Sequence, residues 1–334
     1  MMRRSLIVLG ALAGCGGGSG GPCGLGDGTF CDRLSDYGLF DDVAAQTPAA
    51  GVIPYAVNTP LFTDYANKDR FVYLPPGTTM AWRDTTAFEL PAGAALIKTF
   101  SYGERHLETR LLVKDDAGWR GAAYVYAADG SDAELAIAGA AIDATVIDPM
   151  GVPHANHYLV PNKNQCKNCH AETDDAIGPL GPKARHVRPV DLEAMIVAGV
   201  LVDAPASETW PRAIVASDPS TGTLDERARA WLDINCAHCH NPQGAARTSG
   251  LFLDRAETNP ETYGVCKPPV AAGRGSGGRA YSIVPGQPDA SILVFRIEST
   301  EAEIKMPELG RNLVDDAGAA LIRDWIAQLP GSCP

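Results

Sequence analysis

The chain has 334 residues, with 40 acidic side chains against 28 basic ones and a formal net charge of −12. It has no basic patch to neutralise phosphates, which argues against nucleic acid as a partner. The length admits two domains. Beyond the N-terminus no stretch is apolar for the ~18 residues that a membrane-spanning helix needs.

The chain opens with the charged pair Arg3-Arg4 and the short apolar run Ser5 to Ala13. That pattern predicts a signal peptide over residues 1–14, too short in its apolar part to span a bilayer. Leu12-Ala-Gly-Cys15 resembles a bacterial lipobox, which implies cleavage before Cys15 and acylation of its thiol. Residues 15–31, with the run Gly16 to Gly21, would then be a flexible tether from the lipid. No Asp follows Cys15, which points to a Gram-negative outer-membrane or periplasmic lipoprotein.

Residues 32–150 carry short runs rich in β-branched and aromatic residues. Examples are Arg70 to Leu74 before Pro75-Pro-Gly77, Ala95 to Ser101, Glu108 to Val113 and Gly121 to Tyr126. Such spacing predicts an antiparallel β-sandwich-like domain. Hairpin turns are expected at Asp115-Asp-Ala-Gly118 and Ala128-Asp-Gly130. After residue 150 the period changes. A helix is expected from Val190 to Val200. Another is expected from Leu224 to Ile234, where Leu224, Ala228, Trp231 and Leu232 share a face and Thr223 with Glu226 fits a capping box. A last helix, capped by Asp316, carries Leu321, Ile322, Trp325, Ile326 and Leu329 before Pro330-Gly331 stops it.

Two pentapeptides lie in this second half, Cys166-Lys-Asn-Cys-His170 and Cys236-Ala-His-Cys-His240. Each reads C-x-x-C-H, the attachment pattern of a c-type haem. Two thiols three positions apart on one turn can form thioethers to the two vinyl groups, and the adjacent imidazole reaches the iron. With nine Cys and seven His in the chain, about 0.005 such pentapeptides would arise by chance. The expectation is two covalently bound haem c groups, held by Cys166, Cys169, Cys236 and Cys239, with His170 and His240 as proximal ligands. Zinc is the competing reading, because paired C-x-x-C elements also form zinc ribbons and His238 and His240 could supply further ligands; a redox dithiol is another. Three features weigh against zinc. His follows the second Cys directly in each copy, the pairs lie about 70 residues apart where ribbons have roughly 15–20, and the chain reads as exported.

For a sixth ligand to the second haem the sequence offers Met306. It stands before Pro307, about 65 residues after His240 and ahead of the closing helix. For the first haem Met195 is favoured, with Met150, His154, His157 and His186 as alternatives. Gly273 to Gly278 formally satisfies G-x-G-x-x-G but reads as a loop, where Arg274 or Arg279 would pair with a haem propionate. His238 reads as exposed, and Asp64 receives no role. Setting aside Cys15 and the haem cysteines leaves Cys23, Cys31, Cys266 and Cys333, which permit three pairings; Cys23–Cys31 and Cys266–Cys333 are favoured as local to one domain.

The fold expected is therefore α+β and multidomain. The β-rich domain of residues 32–150 precedes a mainly α-helical cytochrome c-like region, divided into an abbreviated first haem unit at 151–220 and a second haem domain at 221–334. Several stretches now combine: Leu34 to Phe40, Asn58 to Tyr65, Lys98-Thr-Phe100, Glu108 to Leu112, Asn164 to His170 with Gly178 to Lys183, Asn235 to His240, Val284 to Ser291 and Met306-Pro307. Together they resemble a family of bacterial two-haem c-type cytochromes, often lipoproteins, with a β-rich N-terminal region. The resemblance implies transfer of single electrons between periplasmic or cell-envelope redox partners, and maps the family's Met before Pro onto Met306. It fixes no substrate, so an electron carrier is expected before a turnover enzyme. Two alternatives remain open: a dihaem peroxidase-like enzyme with one open haem, and a β domain that captures a ligand or partner for the haems to serve. The expected partners are a donor and an acceptor protein, with an acidic surface suited to steering a basic one, and the membrane through the lipid at Cys15.

Overall fold

The computed structural model describes residues 23–26, 28–172 and 176–334. The expected signal peptide and Cys15 lie outside the described residues. Strands β1 (Phe40–Asp42) and β2 (Thr47–Pro48) form a small ribbon. β3 (Val52–Tyr55) and β4 (Asn67–Tyr73) begin the main sheet, and β5 (Met80–Ala81) lies apart from it. β6 (Ala95–Tyr102), β7 (Arg105–Asp115), β8 (Gly118–Tyr126) and β9 (Ala133–Leu135) complete it. The result is a six-stranded antiparallel sheet in the order β3-β4-β6-β7-β8-β9. β7 and β8 are joined by the tight turn expected there, with Asp115 opposite Gly118 and the Asp115 carboxylate accepting from Ala117 N–H at 2.9 Å. β10 (Ala140–Ile147) and β11 (Pro153–Val160) form a separate hairpin that runs across residue 150.

Period-2 alternation assigns the two faces of the sheet. Ala95 and Ile97, Leu111 and Val113, and Ala122, Tyr124 and Tyr126 pack under the N-terminal segment through Leu34, Tyr37, Leu39 and Phe40. The hydroxyls of Tyr37 and Tyr124 meet at 2.7 Å, and Tyr124 donates to the Cys31 carbonyl at 2.9 Å. The other face carries three cross-strand rows. Val72, Leu96, Leu112 and Gly121 form the first, and Lys68, Phe100, Glu108 and Val125 the third. Between them run Arg70, Lys98, Arg110 and Ala123.

The remaining elements cover this face and extend from it. They are α1 (Cys166–His170), α2 (Pro189–Val197), β12 (Leu201–Val202), which pairs in parallel with β5, α3 (Leu224–Asn235), α4 (Ile292–Glu298) and α5 (Asp316–Gln328). Leu192, Met195 and Leu201 join Val72, Met80 and Trp82 in one apolar cluster. Tyr158, Val160 and Ile142 of the hairpin cover Phe100 and Val125 in another.

The expected mainly α-helical cytochrome c-like region is not what forms. Among the described residues the chain is β-rich around its large antiparallel sheet, with five short α-helices. Between α3 and α4 the chain makes only short 3₁₀ turns and isolated bridges. Residues such as Pro242, Gly244, Gly250, Pro260, Gly264, Pro268, Pro269 and Gly273 interrupt any helical run there. Leu253, Tyr263 and Ile283 reach the core from these loops instead. The N-terminal half is likewise one sheet covered by chain segments, not two facing sheets.

α3 and α5 make the core of the C-terminal half. Thr223 and Glu226 form the expected capping box of α3, and Ala228, Trp231 and Leu232 are buried. α5 begins at Asp316, but its cap is Asp315, whose carboxylate accepts from Gly318 N–H at 2.9 Å. The two helices run antiparallel and exchange indole hydrogen bonds: Trp231 donates to Asp315 at 2.9 Å and Trp325 to Asp225 at 2.8 Å. A side chain on Gly318 would run into the Trp231 ring, so glycine permits this approach. Among the described residues Cys23–Cys31 and Cys266–Cys333 are at disulfide distance, 2.04 and 2.14 Å. Asp315→Ala removes a helix cap and an indole acceptor together. It should cost about 2–3 kcal/mol, read as a lower urea midpoint at unchanged slope.

Candidate functional site

The first pentapeptide begins where β11 ends. Asn162 and Gln165 exchange side-chain-to-backbone hydrogen bonds at 2.9 and 3.1 Å and start a helical turn, and α1 then carries Cys166, Cys169 and His170. A Cβ on Gly121 would lie 3.4 Å from Cys166 Sγ, so the sulfur sits directly over β8. The second pentapeptide continues α3: Cys239 and His240 N–H both donate to the Cys236 carbonyl, at 3.1 and 2.9 Å. All four cysteines are free of disulfides.

Each histidine is oriented in the same way. Nδ1 of His170 lies 2.9 Å from the Gly178 carbonyl, and Nδ1 of His240 lies 3.2 Å from the Leu251 carbonyl. A carbonyl only accepts, so Nδ1 carries the proton and Nε2 keeps its lone pair. Burial pushes both imidazoles down to about 4, so they are neutral at pH 7. This is the arrangement a metal-ligating histidine takes, one nitrogen anchored and the other free to bind. The two pentapeptides thus fit haem at their cysteines and histidines alike.

The turns also meet. Cys239 Sγ donates to the Asn168 carbonyl at 3.0 Å, and the ligand atoms of Cys169, His238 and Cys239 all lie within 4.8 Å of one another. His238 is therefore half-buried against the other pentapeptide, not exposed. Hydrogen bonds from Cys239 and then His238 hold the Cys169 thiol well below its ordinary value, and the same contact raises Cys239. Burial raises Cys166 and pushes Cys236 up to about 12.

Met306 stands on a braced loop. Its N–H donates to the Arg296 carbonyl at 3.0 Å, and its carbonyl accepts from Arg311 at 2.7 and 3.0 Å. Arg311, 5% exposed, also donates to the carbonyls of Ile297, Ser299 and Leu313. From the β-rich half, Asp64 Oδ1 accepts the N–H groups of Asn312 and Leu313 at 2.7 and 2.8 Å, while its Oδ2 accepts from Asn156 at 2.9 Å. Asp64, given no role from sequence, thus anchors the loop of the ligand candidate.

The candidates for the first pentapeptide are placed otherwise. Met195, 1% exposed, fills the apolar cluster with Val72, Met80 and Leu201, which includes none of Cys166, Cys169 and His170. Met150 is 87% exposed at the hairpin tip. His154 pairs with Asp148 at 2.9 Å, His157 with Asp143 at 2.6 Å and His186 with Asp233 at 2.7 Å. Arg274 pairs with Glu301 and Glu303, and Arg279 lies over Phe295. What the structure does set beside the first pentapeptide is the row Arg70, Lys98 and Arg110. Burial and the neighbouring Arg70 and Arg110 lower Lys98 to about 7. The signal for this row was one basic residue within each of three expected strands, Arg70, Lys98 and Arg110.

Asp233, three residues before Cys236, ties the two segments together. It accepts from Arg185 at 2.7 and 3.0 Å and from His186 at 2.7 Å, and Arg185 also reaches Asp254 at 2.9 Å. Burial would raise its carboxyl, but the hydrogen bonds from His186 and Arg185 win and hold it below the usual carboxylate range. Comparison with protein-family models, curated proteins and solved structures finds no match for the chain.

Asp233→Ala would leave Arg185 and His186 buried without their shared partner, at a cost of about 3–5 kcal/mol in chemical denaturation. Because the folded carboxyl titrates below its unfolded value of ~3.9, the stability it contributes is complete above that pH. It should fade as the pH falls further, and acid titration of wild type against Asp233→Asn would show it.

Proposed function

We propose that this chain is a two-haem c-type cytochrome that passes single electrons between redox proteins of the cell envelope. The observation that carries the reading is the same at both pentapeptides: a C-x-x-C-H turn whose histidine donates Nδ1–H to a backbone carbonyl and keeps Nε2 free. Cys166 and Cys169 would hold one haem and Cys236 and Cys239 the other, with His170 and His240 as iron ligands. Bound there, haem c supplies a one-electron iron centre. The chain's own contribution is to press the two attachment turns together at Cys169, Asn168 and Cys239, so the sites are nearest neighbours in a stiff unit. Met306, braced by Arg311 and Asp64, is the sixth ligand assigned to the second site. The two disulfide pairs, Cys23–Cys31 and Cys266–Cys333, and the lipobox-like Cys15 support an exported, lipid-anchored protein.

Produced with a cytochrome c maturation system, the full chain should carry two haems per polypeptide by pyridine haemochrome absorption. The double variant Cys236→Ser/Cys239→Ser should carry one. A colourless wild-type protein sinks the reading.

The group Cys169, His238 and Cys239 favours a second reading, a Cys₂His zinc site with an open fourth position. It excludes thioethers at the same sulfurs. Stoichiometric zinc in the colourless protein, lost in His238→Ala, would decide for it.

Asp64→Ala leaves the Asn312 and Leu313 amides without their acceptor. The holoprotein should then keep both haems but lose the methionine–iron charge-transfer band of one of them. An unchanged band would show that the β-rich half does not position Met306.

A further inference from the structure

The middle row of the sheet face carries more positive charge than its surroundings neutralise. Arg110 is paired, donating to Glu108 at 2.9 and 2.5 Å, and Glu108 also accepts from Tyr158 at 2.6 Å. Lys68 Nζ donates to the Ala66 carbonyl at 2.8 Å and stands 5.8 Å from the Phe100 ring, and Arg70 donates to the Lys68 carbonyl at 3.1 Å. Lys98 Nζ stands 5.1 Å from the Phe100 ring. None of Lys68, Arg70 and Lys98 meets a carboxylate among the described residues. The acids that act on them from further off are Glu108 on Lys98, Asp69 on Arg70 and Asp64 on Lys68. Glu108 is shared by Arg110 and Tyr158, and Asp64 is taken by Asn156 and the amides of Asn312 and Leu313. On a chain of net charge −12 this local excess is opposite in sign to the whole. Half-buried cations without counter-charges are costly, and carboxylates are the groups that satisfy them best.

Position supplies the rest. Cys166 Sγ lies over Gly121 of β8 in the row beside these cations. Lys98, on β6, is two strands from β8, about 10 Å at ladder spacing, and Arg70 on β4 is one strand further. Lys98 and Arg110 both act electrostatically on Cys169. The apolar covers lie on either side of the row, α2 and β12 over Val72 and Leu96 and the hairpin over Phe100 and Val125.

We propose that Lys98 and Arg70, with Lys68 beside them, form a carboxylate-binding site that holds the propionates of the haem attached at Cys166 and Cys169. The proposal rests on the haem reading above. These cations neutralise the carboxylates and favour the electron-rich, reduced iron, so they raise the potential of the first haem. A free dicarboxylate has the same chemistry and is the rival occupant.

The test is a spectroscopic redox titration of holoprotein for wild type, Lys98→Gln, Arg70→Gln and Lys98→Arg. Each Gln variant should keep two haems by haemochrome absorption. One couple should fall by up to about tenfold in its reduction equilibrium, ~59 mV for one electron, while the other stays in place. Lys98→Arg should remain near wild type. Two haems with both couples unmoved in both Gln variants would overturn this proposal and leave the haem reading standing; a wild type without haem would overturn both. Succinate that shifts the same couple in wild type, but not in Lys98→Gln, would show a site open to free carboxylate and overturn the propionate assignment.

Discussion

Charge does not enter an apolar core without a partner, and that cost organises the inner face of the six-stranded sheet. Arg70, Lys98 and Arg110 occupy one cross-strand row in its middle. On one side α2 with β12 covers Val72 and Leu96, and on the other the β10–β11 hairpin covers Phe100 and Val125, with Tyr158 donating to the buried Glu108. Two separate covers leave the cation row between them. The first pentapeptide is delivered to this face by β11 itself, the strand that forms one of the covers, and Gly121 admits its first sulfur.

The second pentapeptide has a different support. α3 leads into it, and α3 is locked to α5 by the reciprocal pairs Trp231–Asp315 and Trp325–Asp225. Three buried charges then connect this unit to the rest. Asp233 binds Arg185 and His186, Asp64 binds the loop after Met306, and Arg311 gathers backbone carbonyls around that loop. Each is fully hydrogen-bonded, the condition under which a buried charge stabilises a contact instead of weakening it. The two halves of the chain are in this way joined through the site, and the two C-x-x-C-H turns come to touch.

The strands β4, β6, β7 and β8 and the helices α2, α3 and α5 were legible, because their signals are local: alternation, helical spacing and capping. The helical frame expected around the pentapeptides was not there. C-x-x-C-H is a pattern of five residues and says little of the architecture around it, and the glycines and prolines from 242 to 286 argued for loops. Met195 shows the same limit. Its place on a helix after the attachment site fitted a ligand, yet the face it occupies turns into the apolar core with Leu192. Asp64 and Asp233 carried no sequence signal, since what distinguishes them is the backbone amides and basic side chains that distant segments bring to them.

The sequence by itself determined the two C-x-x-C-H pentapeptides, the cysteines left over for pairing and the periods of the main strands and helices. These depend on residue type and on spacing within a few positions. Tertiary structure alone decided that Cys169 and Cys239 lie together, that His238 faces the opposite turn, and that Lys98 and Arg70 stand on the sheet face beside the first pentapeptide. Those relations join residues far apart in the sequence, and only the pairing register of the sheet and the packing of covers upon it bring them together.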